Sequence, residues 1–165
     1  MAESTKPTSL SDHFKGQNPS VHGQKWDELW DHEFTPWDRG FPSSALTDFL
    51  SERKEILPSK TQRKKALVAG CGRGYDVLLL SSWGFDAYGL DVSSKALEVA
   101  KGVQKEVDGE GVYETKEGVE KGRVSWIAGD FFKEDFLEEV EGEPVFDFIY
   151  DYTVCLPSIL QLGML

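Results

Sequence analysis

Cysteine, histidine and long apolar runs are all scarce in this sequence, and each shortage removes a class of protein. The 165 residues include two cysteines, Cys71 and Cys155, too few for a disulfide framework. Both read as reduced, partly buried thiols. Neither has neighbours at metal-ligand spacing, and His13, His22 and His32 lie far from both in sequence, so no metal is expected. No apolar run approaches the roughly 20 residues that span a bilayer. The stretch 1–14 is polar and lacks the apolar core of a signal peptide. No membrane partner is expected, and the cytoplasm is the default location.

Positive charge is short in one part of the chain only. Residues 1–65 carry ten basic and ten acidic side chains, whereas the other hundred carry eight and nineteen, which accounts for the net charge of −11. Such a surface repels phosphate backbones, so nucleic acid is not expected as a partner. The acidic run from Glu134 to Glu143 reads as a solvated face.

What is present suffices for one domain with a core, since 39% of residues are hydrophobic. The segment 1–18 is polar and reads as a loose tail. Trp26, Leu29, Trp30 and Phe34 recur at helical spacing. A second helix is expected from Ser44 to about Leu57, with Ala45, Leu46, Phe49, Leu50 and Ile56 inward and Pro58 as its stop. The rhythm then changes. Lys65–Ala69 is a short apolar strand, Tyr75–Trp83 a helix closed by Gly84, and Phe85–Leu90 a second strand. Ser93 caps a third helix, 108–122 reads as an exposed loop, and Arg123–Ala128 and Phe146–Tyr150 are strands three and four.

Strands alternating with helices predict an α/β fold with a parallel sheet. Ligands of such sheets bind beyond the carboxyl ends of the strands. Four polar ends collect there: the glycine turn after strand one, Asp91, Asp130, and Asp151-Tyr152.

The turn Gly70-Cys71-Gly72-Arg73-Gly74 has three alternate glycines, which let a ligand approach the backbone. A phosphate-cradling loop is disfavoured, because Tyr75-Asp76 stand where Lys-Ser/Thr would be. A dinucleotide turn is disfavoured because the third glycine arrives one residue early. Asp76 near the helix start would also repel a pyrophosphate. Asp91 can accept hydrogen bonds from the two ribose hydroxyls of an adenosine, a role shared by NAD and S-adenosyl-L-methionine enzymes. Asp130 could accept from an adenine amino group while Phe131 packs on the ring. Each feature has a plainer reading: a tight turn, a capping aspartate, a core phenylalanine.

Taken in order, these motifs resemble one family. Trp26-x3-Trp30-x6-Trp37, Val68 to Asp76, Gly89 to Ser93, Gly129 to Phe132 and Phe146 to Thr153 resemble the thiopurine S-methyltransferase superfamily, in its plant and fungal thiol/halide branch. The resemblance covers about residues 20 to 153. It implies a Rossmann-like class I methyltransferase fold, a seven-stranded sheet with flanking helices that uses S-adenosyl-L-methionine and releases S-adenosyl-L-homocysteine. It implies cofactor contacts at Gly70, Gly72, Gly74, Asp91, Asp130, Phe131 and Tyr152, with Trp26, Trp30 and Trp37 closing over the cofactor. Aromatic faces suit a sulfonium by cation–π attraction; as a plainer reading the tryptophans are a packing stripe.

Ala69 stands where the superfamily usually has proline, a minor departure. After Thr153 the resemblance stops, so the domain 19–165 is expected to lack its C-terminal strands. The expected activity is methyl transfer to a small thiol or halide, by a monomer where the fold is complete. No catalytic residue is identified. Two alternatives remain: a cofactor-binding remnant or partner-dependent fragment, and an NAD-dependent oxidoreductase.

Overall fold

In a computed structural model, residues 9–152 are described. The expectations for 1–8, for Cys155 and for the segment after Tyr152 lie outside them.

Five helices and four strands make up the described chain. They are α1 (Leu10–Phe14), α2 (His22–Asp31), α3 (Ser44–Glu52), β1 (Lys65–Ala69), α4 (Tyr75–Ser82), β2 (Asp86–Asp91), α5 (Ser94–Glu110), β3 (Val124–Ala128) and β4 (Phe148–Asp151). The strands form one parallel sheet in the order β3-β2-β1-β4. Chain order therefore reverses between β1 and β4. This is the arrangement expected of a Rossmann-like sheet, and it makes the carboxyl end of β1 a topological switch point.

Local chemistry sets the element ends. The Ser43 hydroxyl accepts from Leu46 N at the start of α3, and the Ser93 hydroxyl from Ala96 N at the start of α5. Gly111 ends α5 in the left-handed region. The helix expected to reach Leu57 stops at Glu52 and gives way to a 3-10 turn, Lys54–Ile56. Phe49 is half-exposed rather than inward, and its ring stacks on Phe148 at 5.9 Å. The segment read as a tail holds α1, whose Ser9 cap and Phe14 ring contact with Trp26 tie it down.

The pleat divides the core into two halves. Ala66, Val68, Ala87, Trp126, Phe148 and Tyr150 face Leu46 and Leu50 of α3 and Val77 and Leu80 of α4. Leu67, Tyr88, Leu90 and Ile127 face the other way, where Phe136 and Val140 cover them. Phe136 belongs to a short 3-10 turn, Asp135–Glu139. Among the described residues, one face thus has helices over it and the other a single 3-10 turn. On β4, Ile149 alternates with Phe148 and Tyr150 and is 52% exposed.

The stretch 108–122 expected to be an exposed loop is one from residue 111 on, since α5 takes 108–110, and its exposed chain is tied to α4 through the backbone. Its N–H groups at Lys116 and Gly122 donate to the Ser82 and Ser81 carbonyls, and the Ser81 hydroxyl donates to Gly122 O at 2.7 Å. This explains why Val77 through Ser82 are all buried. Among the described residues no helix is long and apolar enough to cross a membrane, and no cluster of metal ligands forms.

Candidate functional site

The glycine turn follows β1 at the switch point. Gly70, Gly72 and Gly74 all take positive φ, which favours glycine. Gly74 has a second reason. A Cβ there would lie 2.2 Å from the Trp126 ring. Trp126 is held by its indole N–H, which donates to Gln104 Oε1 at 2.8 Å. Gly89 on β2 meets the same ring, with a Cβ contact of 2.6 Å. Trp126 and Gly89 were not among the expected site residues, although a glycine inside a strand is a signal of close approach.

Asp91 ends β2 beside this turn. Its Oδ2 accepts from Gly72 N at 2.9 Å and its Oδ1 from Ser93 N at 2.9 Å. Burial pushes its carboxyl above the ordinary aspartate value, and the backbone N–H donors of Ser93 and Gly72 work against that. An ionised carboxylate has about four acceptor positions, and the N–H groups of Ser93, Gly72 and Val92 all face this one. A carboxylate with acceptor room beside a bare glycine turn fits ribose hydroxyls.

The three tryptophans form one cluster. Trp37 packs edge-on against Trp26 and Trp30, with ring centroids at 5.3 Å and 6.0 Å. Trp30 is buried, and a Cβ at Gly72 would sit 3.6 Å from its ring. The cluster thus lies directly against the glycine turn. Arg73 in that turn pairs with Asp38 and places its guanidinium over the Trp30 ring at 5.7 Å. Asp76, read from sequence as a deterrent to pyrophosphate, accepts from Ser43 N at 2.7 Å and fixes the start of α3. Burial raises its carboxyl above the ordinary value, against that bond.

The remaining expected residues lie at the two sheet edges. At the β3 edge, Asp130 accepts from Phe132 N at 3.0 Å. Phe131 is half-buried against the turn-covered core, whereas Phe132 is 63% exposed. The exposed ring at this strand end is Phe132, next to the expected Phe131. Val92, at the end of β2, is likewise exposed. At the β4 edge, Tyr150 turns into the helix-covered core. Tyr152 is 48% exposed, with the Arg39 guanidinium 5.6 Å from its ring centroid. Cys71 is a free thiol whose burial pushes its pKa well up, which leaves it unreactive.

The chain is 31% identical over 128 residues to probable thiol methyltransferase 2 of Arabidopsis thaliana, covering 78% of this chain and 46% of the relative. It is 32% identical over 129 residues to thiocyanate methyltransferase 1 of Brassica oleracea, covering 78% and 47%. It therefore spans about half the length of the curated relatives it matches. A solved structure from work on the conversion of a disulfide bond into a thioacetal group during echinomycin biosynthesis superposes with a TM-score of 0.54 at 26% identity, over 81% of this chain and 47% of that one. Monomeric WbdD shares the fold, with a TM-score of 0.50 at 15% identity over 80% of this chain and 28% of that one. The model of the thiopurine S-methyltransferase family matches residues 21–159. The chain belongs to that family of S-adenosyl-L-methionine-dependent methyltransferases.

Proposed function

We propose that this chain binds S-adenosyl-L-methionine across the carboxyl ends of β1, β2 and β3, and that its acceptor is a small thiol or halide. One observation carries the reading: Asp91 is bonded to Gly72 of the glycine turn, and the same glycine lies against Trp30. A ribose-accepting carboxylate, a bare backbone turn and an aromatic wall therefore share one place.

The cofactor supplies a methyl group on a positively charged sulfur. The protein's part is to bind, orient and exclude water. Gly70, Gly72 and Gly74 leave the backbone open to a ligand. Asp91 accepts from the ribose hydroxyls. Asp130 and Phe131, with the exposed Phe132, take the adenine. Trp26, Trp30 and Trp37 give aromatic surface beside a cation. Tyr152, exposed after β4, is a further cofactor contact in this reading. The acceptor sulfur or halide needs little proton transfer, so positioning and dryness dominate, and no side chain is assigned as a base.

The exposed Ile149 face supports a second reading, in which the chain binds the cofactor but needs a partner for turnover. The test is thermal melting of the purified chain with ligands, followed by assay with thiols and iodide. S-adenosyl-L-homocysteine should raise the melting temperature and NAD should not. Equal stabilisation by NAD would overturn the cofactor assignment. Cofactor binding without methyl transfer would favour the second reading.

A further inference from the structure

The helix that carries Trp26 and Trp30 also carries a carboxylate with a separate task. Asp27 accepts from the Ser93 hydroxyl at 2.5 Å and from Lys95 N at 3.3 Å. Both donors belong to the start of α5, where a negative charge is favoured by the helix dipole. Ser93 already caps α5, and its own N–H donates to Asp91 Oδ1. Asp91 in turn holds Gly72 N, and Gly72 lies against Trp30. The contacts close a circuit: α2 to Ser93, Ser93 to Asp91, Asp91 to Gly72, and Gly72 back to α2.

Two weaker contacts follow the same seam. Asp31 of α2 lies 3.9 Å from the Lys95 ammonium. A Cβ at Gly23 would sit 3.2 Å from the Val92 side chain, so α2 passes close over the turn after β2. The seam therefore joins the tryptophan helix to the turn that orients Asp91.

We infer that Asp27 is a positioning residue, a latch that docks the tryptophan helix on the β2–α5 turn, so that the aromatic wall and Asp91 are set as one unit. The identity of the ligand rests on the proposed function; the latch itself does not. Asp27 touches no reacting atom, and its effect reaches a ligand only through Ser93, Asp91 and the placement of Trp30.

The test compares Asp27→Ala and Asp27→Asn with the unaltered 165-residue chain. Hydrogen exchange is read over residues 22–31 and over β1 and β2, and S-adenosyl-L-homocysteine binding by calorimetry. Asp27→Ala removes the acceptor of both the Ser93 hydroxyl and Lys95 N; it should speed exchange in α2 by at least about tenfold and weaken binding by at least about tenfold, the ratio for losing the stronger of these charged hydrogen bonds. Exchange in β1 and β2 should not change. Asp27→Asn keeps an acceptor for Ser93 and should show about a threefold effect in both readouts.

An α2 as protected in Asp27→Ala as in the unaltered chain overturns the latch. So does faster exchange throughout the core, which is what an ordinary stabilising cap would give. Undocked α2 with unchanged binding overturns the coupling to the ligand site. If Asp27→Ala fails to fold, unaltered behaviour of Asp27→Asn in both readouts overturns the proposal. If the unaltered chain binds no S-adenosyl-L-homocysteine, the proposed function falls while the exchange arm still decides the latch.

Discussion

Each end of β2 carries an aspartate, Asp86 at its start and Asp91 at its finish, and the two are treated in opposite ways. Asp86 accepts from the Arg63 guanidinium, from Arg123 N at 2.9 Å and from the Arg123 guanidinium at 3.4 Å. Burial pushes its carboxyl up, but these donors outweigh burial and hold it below the ordinary value. Asp91 accepts from backbone N–H groups rather than from cations; burial, with the Asp27 carboxylate adding to it, wins. Nearby, Lys65 N donates to Asp147 and the Lys65 ammonium to two backbone carbonyls, so the lower rim of the sheet is closed by charge. Ion pairs hold one end of the strand, and the proposed cofactor site lies at the other.

The sharpest way to break this contrast is at Gly74, where the upper rim is structural too. Gly74→Ala puts a methyl into the Trp126 ring and a side chain at φ 78°. Together the clash and the backbone strain should cost about 3–4 kcal/mol of stability. Chemical denaturation measures it. Trp126→Leu in the same chain should relieve the clash but not the backbone strain; full recovery would show that φ is unimportant there.

Asp86→Asn and Asp91→Asn sharpen the contrast directly. Asp86→Asn should lose about 2–3 kcal/mol of stability, because two guanidiniums lose their shared anion. Asp91→Asn should lose less than about 1 kcal/mol of stability, since its amide oxygen can still accept. It should instead weaken S-adenosyl-L-homocysteine binding by about 1.5–2 kcal/mol. Denaturation and calorimetry on both variants separate the two roles. An exchange of the two phenotypes would reverse the assignment of the rims.

The smallest effect expected is in acid titration. A ligand whose hydroxyls donate to Asp91 needs the ionised carboxylate, and that carboxyl sits above the ordinary value. Affinity for S-adenosyl-L-homocysteine should therefore begin to fall above the usual aspartate range as pH drops. Asp86 lies below its ordinary value, so its stabilisation is present above that value and fades only as pH falls through the lowered one. For Asp91 the folding term has the opposite sign: it favours the fold below the ordinary value and is lost as pH rises through the raised one. Calorimetry and melting across the acid range should lose binding before stability.

Much of the frame was legible in the sequence because it rests on local signals. Glycine spacing, the Ser93 cap, the Gly84 stop and short apolar runs fixed β1 to within its observed ends and the other strands to within a few residues. The long-range partners were not legible. Trp126 meets Gly74 and Gly89 across many intervening residues, and only the folded sheet brings the ring over both. Asp27 carries no signal in the sequence, because the hydroxyl it accepts from, Ser93, lies 66 positions away. The stretch 108–122 read as an exposed loop and is largely one, but its hydrogen bonds to α4 run through the backbone, which composition does not encode. At β3, Phe131 and Phe132 are chemically alike, and only the packing of Phe131 beside Phe136 tells them apart.

The strand order also sets a timetable for synthesis. β1 pairs with β2 after a short connection, and β3 extends the same side. The other side of β1 is filled by β4, and Lys65 meets Asp147 across 82 positions. A nascent chain that has reached the end of β3 holds a three-stranded sheet whose oldest strand still shows one bare edge. That edge closes only when residue 151 has been made, and loop closure over such a span is slow. During that interval the bare edge of β1 is open to pairing with a neighbouring strand.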